Sequence, residues 1–407
     1  MSDVTPAPGT RKRLEHIDAM RPIKQAAVIS THALIFFAPI GANVVATGVI
    51  MLTRFSRDAF LFVSACMLAY SYRDAARIKL ATYSKKRLIA VGLPYVTWTV
   101  IYFVYTRLST QTGFPYYTLH VGRVLSASGL HYFWHLFATG YYHLYYLLVI
   151  LEFYAVFPWL LRALKRVPRW HVAIMIAAVA WQLFYGALVG AHLFGVVIPG
   201  TIQTRLLISY PIYLVGGVIV ALHLDEVHDW IVSHALLIVA GTLGGVALAE
   251  AILVMSRHVA MPAYLLTGTE VFSPAIVPYN VGAILCVYLL GVYLVSPRRG
   301  LFTRAAVQSG SDNSYGVYLS QMIWIPLLVR LRTHFAINIA WEFAAPLALV
   351  IVYTLGFIFT AIMARTPLAR AVTGRGRAPW STLRPHRVRA ASWHEDRGDG
   401  PLEVAAD

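Results

Sequence analysis

The sequence predicts an all-α membrane protein, a polytopic helical bundle of about ten transmembrane helices with both termini cytoplasmic. Three observations carry this. The chain has 407 residues, of which 58% are hydrophobic and only 13% charged, where a soluble domain has about 25% charged residues. Its mean hydropathy is +0.63. Its basic residues gather at the ends of apolar stretches rather than over a surface.

The elements follow in order. Residues 1–20 are polar, basic and contain Pro and Gly, which reads as a disordered cytoplasmic arm. Apolar stretches then run at roughly 23–40, 58–72, 88–106, 141–161, 171–190, 207–222, 230–254, 279–295, 315–331 and 341–363. About 20 apolar residues span a bilayer as a helix, and shorter runs suffice with some mismatch. The apolar run 43–53 (NVVATGVIMLT) either extends the second span or lies as a re-entrant or interfacial segment. Residues 364–407 are rich in Arg, Pro, Gly and Ala and read as a basic, disordered cytoplasmic tail. The membrane domain is therefore 21–363.

Charge sets the orientation. With the N-terminus inside, only Arg54, Arg57, Arg107, Arg123, Arg205, Arg257, Arg330 and Arg332 fall outside the cytoplasmic segments, out of 34 Lys and Arg. One loop breaks the pattern: HLDEVHD at 223–229 should be cytoplasmic but carries acids and no Lys or Arg. The basic start followed by an apolar run resembles a signal peptide, but a histidine within the run and the lack of a small-x-small site argue against cleavage. The location expected is the cell membrane.

Several classes are excluded. The net charge of +16 has no soluble basic domain or aromatic platform around it, so no nucleic-acid partner is expected. Cys66 and Cys286 stand far apart in apolar segments and read as small buried hydrophobes. His131, His135 and His143 do not complete a zinc-protease motif, so no metal is expected. No internal repeat of the transporter kind is evident.

The first span carries the most informative residues. RPIKQAAVISTH at 21–32 begins with Arg21 and ends with His32. At about 100° per residue, eleven steps make roughly three turns plus 20°, so both side chains share a face about 16 Å apart along the axis. Arg21 then lies at the cytoplasmic interface and His32 near mid-membrane. An intramembrane ionisable group is costly and points to function; the structural alternative is a neutral histidine hydrogen-bonded to a neighbouring helix. Pro22 fits a first helical turn.

The stretch LEHIDAMRPIKQAAVISTHALIFF resembles the first helix of the membrane acyltransferase family 3, the integral-membrane O-acyltransferases of bacterial surface glycans. Asp18, Arg21 and His32 match that family's opening pattern. SRDAFLFVSACMLAYSY, YSKKRLIAVGLPYVTWTVIYF, YYHLYYLLVILEFYAVFPWLL and NSYGVYLSQMIWI resemble later helices, in the family's order. There are departures. Ala65 replaces a usual Gly after Ser64, Val91 stands where a second arginine is frequent, and Gln321 stands where a histidine is usual.

The resemblance implies transfer of a short acyl group, such as acetyl, from cytoplasmic acyl-CoA to a hydroxyl of a glycan, glycolipid or small molecule. No cofactor is held; acyl-CoA is a co-substrate. Arg21 would bind the CoA phosphates, since guanidinium grips phosphate in a bidentate fork. Lys85, Lys86 and Arg87 would assist, or serve only to orient their hairpin. His32 would be the general base, because imidazole titrates near neutral pH. His143 would bind or orient the acceptor, or belong to an aromatic belt with Tyr141, Tyr142, Tyr145 and Tyr146. Glu152 lies about 180° from His143 by helical arithmetic and is expected as the mid-membrane partner of His32. Arg57 with Asp58 reads as a local ion pair, and Asp312 as interfacial. Two other classes compete: a proton-coupled transporter or flippase of a lipid-linked glycan, and a non-enzymatic scaffold. A flipping-only protein and a scaffold both predict that the function survives His32→Ala.

Overall fold

In a computed structural model the described residues are 14–108, 122, 126–190, 199–256, 272–296 and 298–379. Among them the chain is almost wholly helical, with no strand. The longer helices are α1 (Glu15–Phe37), α2 (Val44–Thr53), α3 (Phe55–Tyr72), α4 (Leu80–Arg87), α5 (Leu93–Leu108), α6 (Ala127–Thr139), α7 (Tyr145–Arg166) and α8 (His171–Gly190). Then come α9 (Pro211–Leu222), α10 (Leu224–Ser233), α11 (Ala235–Met255), α12 (Val277–Leu294), α13 (Leu301–His334), α14 (Trp341–Met363) and the short α15 (Ala369–Thr373).

Each predicted apolar stretch falls mainly in helix, although 230–254 crosses from the end of α10 into α11. Six described helices are long and apolar enough to cross a membrane, or seven if α9 and α10, bent by 103° at His223, form one span. They are α4 with α5, α7, α8, α11, α12 and α14. The helices below that threshold include α1, α3 and α13, which carry ionisable residues along their length. Where the loop 223–229 broke the charge pattern there is no loop. Asp225 and Glu226 occupy the first turn of α10, where acids suit the helix dipole.

Residues 15–20, expected to belong to a disordered arm, are helical. Helix α1 begins at Glu15, and Leu14, Ile17, Ala19 and Met20 are buried at 2% exposure or less. Burial of that apolar face holds the turn in the bundle, while residues 1–13 lie outside the described residues. Pro22 is therefore inside the helix rather than in its first turn. The run 43–53 forms its own helix α2, capped by the Asn43 side chain, which accepts from the Ala46 N–H at 3.0 Å. The tail also departs from expectation. Residues 364–379 fold back on the bundle, with Ala369, Val372 and Thr373 buried, and 380–407 lie outside the described residues.

Helix α1 is the hub. It packs against α2, α3, α12, α13 and α14, and α3 packs in turn against α9 and α12. The α3–α9 approach explains how Ala65 is tolerated. A Cβ on Gly217 would sit 2.6 Å from the Phe62 carbonyl oxygen and 2.9 Å from the Ala65 Cβ. Here the small residue that lets the two helices meet is Gly217 on the α9 side. Between α4 and α5 the chain makes a wider π turn at Leu88–Gly92. Such a turn inserts an extra residue and changes which face points inward, and it recurs at functional sites. Here Arg87, Ala90 and Val91 face a cavity, while Tyr102 of α5 reaches α13, donating to the Leu319 carbonyl at 2.6 Å.

Candidate active site

Four helices line two cavities that share a wall. On α1 the inward stripe is Arg21, Lys24, Val28, Thr31, His32 and Ile35, and on α3 it is Arg57, Phe60, Ser64, Met67 and Ser71. These spacings of three and four residues mark one face of a helix. The chain from His143 into α7 adds Tyr146, Leu147, Ile150 and Tyr154, and α13 adds Ser314, Tyr315 and Tyr318.

The first cavity, about 400 Å³, is lined by the cations Arg21, Lys24, Arg87 and Arg375 and by no carboxylate. Arg21 pairs with Asp18 at 3.4 Å, which steadies it at the first turns of α1. Lys24 is 3% exposed, and its Nζ lies 2.8 Å from the centroid of the Phe60 ring. The Arg87 guanidinium lies 5.8, 5.7 and 5.5 Å from the rings of Tyr72, Tyr83 and Tyr154. Lys85 and Lys86 are exposed and do not line the cavity. Of the basic triplet only Arg87 is turned inward. It stands one turn before Val91, which lines the same cavity, so a guanidinium is present although the expected position has none.

The second cavity, about 250 Å³, holds His32, His143, Arg54 and Arg57 among Tyr142, Tyr145, Tyr146 and Tyr318. His32 Nδ1 lies 3.1 Å from Gln321 Oε1, so Nδ1–H donates and Nε2 is left as the ring's proton acceptor. This is the same support that a carboxylate or carbonyl gives a working histidine, supplied by an amide. The His32 ring lies 5.3 Å from Tyr142 and 6.1 Å from His143. His143 is buried, and its carbonyl accepts from the Tyr318 hydroxyl. It sits in the turn before α7, reached through Gly140 (φ 73°) and Tyr142 (φ 42°). A Cβ on Gly140 would meet the Tyr145 backbone, so only glycine serves there. Tyr142 holds a backbone conformation that is costly outside glycine, and its ring is the one packed on His32.

Phe60 and Tyr146 line both cavities. Their rings lie 5.0 Å apart, and Tyr318 lies 5.2 and 6.0 Å from them. This aromatic partition separates a chamber lined by cations from a chamber that holds two histidines. Such an arrangement suits an anionic donor on one side and a hydroxyl acceptor on the other.

A sequence profile described as an acyltransferase domain, of acyltransferase family 3, matches residues 14–365. The chain belongs to that family. It is a membrane acyltransferase. No curated protein and no solved structure matches it.

In this acyltransferase, not every expected residue meets the others. Arg21 and Arg87 share one chamber, and His32 and His143 share the next. Glu152 is elsewhere. It is exposed on α7, and its carboxylate accepts from the Leu207 N–H at 3.0 Å. Gln321, not Glu152, contacts His32. Two residues took on more than sequence reading gave them. Arg57 is 14% exposed and Asp58 1%, paired at 2.9 Å, and Asn280 donates to Asp58 at 2.7 Å from 222 positions away. The pair is thus a tie between α3 and α12, with Arg57 facing the His32 chamber. Lys24, three residues from Arg21 and so on the same stripe, joins it in the first cavity. Among the described residues no group of His, Cys, Asp and Glu is arranged to hold a metal.

Proposed function

We propose that the acyltransferase takes a short acyl group, acetyl or similar, from acyl-CoA and transfers it to a hydroxyl of a glycan, glycolipid or small molecule. The observation that carries this reading is the pair of chambers joined at Phe60 and Tyr146, one cationic and one holding His32. CoA is a polyanion with a thin pantetheine arm. Arg21 and Arg87 bind its phosphates, with Lys85 and Lys86 as outer charges that draw it in. The arm runs past Lys24 to present the thioester at the partition.

The acceptor enters the second chamber beside His143. Its hydroxyl oxygen attacks the thioester carbonyl carbon while His32 Nε2 takes the hydroxyl proton. The C–S bond then breaks, and the CoA thiolate leaves and takes up a proton, restoring the neutral imidazole. Gln321 holds the ring in the tautomer this needs. Glu152 has no part in proton transfer here; it steadies the turn at Leu207.

In this reading the chain has about ten spans, with both termini and the cationic chamber on the cytoplasmic side of the cell membrane, where acyl-CoA is made. The test is purified protein in lipid nanodiscs with acetyl-CoA, read by thiol release, and mass spectrometry of glycans and lipids from cells with and without the gene. His32→Ala should lower transfer by about 10²–10⁴-fold. Transfer at the wild-type rate in that variant would remove His32 from the chemistry.

A further inference from the structure

The family match ends at residue 365, yet the cationic chamber does not. Two of its lining residues, Gly374 and Arg375, come from beyond that limit. The segment that carries them is built into the bundle. Trp98, fully buried in α5, donates from Nε1 to the Val372 carbonyl at 2.9 Å. Val372 and Thr373 are buried, and the Ala378 N–H returns to the Ala364 carbonyl at 2.8 Å, closing the segment into a strap.

Gly374 ends α15 in the left-handed region at φ 69°, and a Cβ there would lie 2.6 Å from Tyr315 and 2.7 Å from the Ala90 carbonyl oxygen. The strap is thus pressed onto the π turn and onto α13 at the rim of the chamber. Arg375 follows at once. One of its nitrogens pairs with Asp312 at 2.7 Å, and Asp312 is itself held by Gln308 at 2.7 Å. A carboxylate on one side of a guanidinium fixes the fork without using all five of its donors. Depth in the chamber follows exposure: Lys24 is buried, the Arg21 side chain is 25% exposed and that of Arg375 41%. Of these three, Arg375 is the most exposed.

We propose that Arg375, carried by the C-terminal strap, binds the nucleotide phosphates of the acyl-CoA donor, so that the donor site of this chain is completed by residues outside the family's domain. The inference rests on the acyl-CoA reading above. The pantetheine arm and thioester lie deeper, against Lys24 and the partition, and do not reach Arg375.

Binding separates the two proposals. The full chain in detergent is titrated with CoA and with pantetheine, which lacks every phosphate. Arg375→Gln should weaken CoA binding by about 10-fold or more, the loss expected for a charge-assisted hydrogen bond to phosphate. Its pantetheine binding should match wild type, which also shows that the variant is folded. Arg375→Lys should recover CoA binding in part, as a point charge without the fork. Equal CoA binding in wild type and Arg375→Gln, or equal losses for CoA and pantetheine, would overturn the role of Arg375 and leave the acyl-CoA reading standing. If wild type bound CoA no better than pantetheine, both would fall.

Discussion

Gln321 separates two properties of His32 that are usually changed together. Its Oε1 orients the ring without adding charge. Gln321→Leu should cost about 10–100-fold in the transfer rate, the size expected for an outer partner of a working histidine. Gln321→Glu should keep the orientation but favour the protonated ring. The acid limb of the pH–rate profile should then move to higher pH, since the base form is lost earlier as pH falls. An unmoved limb would show that His32 is not the titrating base. At this scale the sequence was informative where one helix held all the terms. The 100° rule set Arg21 and His32 on one stripe because both lie inside α1. The same rule set Glu152 opposite His143, as found, but the face opposite His143 turns to Leu207 and not to His32. Asn280 against Asp58 could not be read at all, since two segments 222 positions apart must first be brought together.

Helices α3 and α9 show how element packing absorbs a departure from the family pattern. Gly217→Val should drive a side chain into the Phe62 carbonyl and Ala65, destabilising the bundle by about 1–3 kcal/mol. Adding Ala65→Gly should return part of that loss in thermal unfolding. A second link at this scale is the Arg57–Asp58–Asn280 tie between α3 and α12. Arg57→Met leaves the Asp58 carboxylate buried without its cation and should cost about 3–5 kcal/mol, whereas changing Arg57 and Asp58 together to apolar residues should cost much less. Equal losses for the single and double changes would mean that the pair is not coupled. The apolar stretches foretold where these helices run. They were silent on α6, whose 13 residues are too short to span, and on α15, whose five residues sit in a stretch that composition marks as disordered.

At the scale of the whole molecule the charges and the cavities agree. The chambers are lined by α1, α3 and α13, which fall short as membrane spans because they carry polar and charged residues, together with the more apolar α7. If the cationic chamber collects a polyanion from the cytoplasm, the apparent KM for acetyl-CoA should rise with ionic strength while kcat stays nearly constant, because salt screens the outer charges. A salt-independent KM would argue against phosphate capture at that mouth. A reporter fused to the C-terminus that is active only in the cytoplasm should be active, given where the Lys and Arg residues gather.

The partition of Phe60, Tyr146 and Tyr318 has a consequence for the cell as well as for the reaction. Two chambers that opened freely into each other would form a wet bore through the bilayer, and a wet bore short-circuits the proton gradient. Three rings packed edge-on and tilted against one another, with the Lys24 ammonium on the Phe60 ring, would oppose the passage of cations. Liposomes carrying Phe60→Gly with Tyr146→Ala should lose an imposed pH gradient faster than wild-type liposomes, followed by an entrapped dye. Equal decay would place the insulation elsewhere in the bundle.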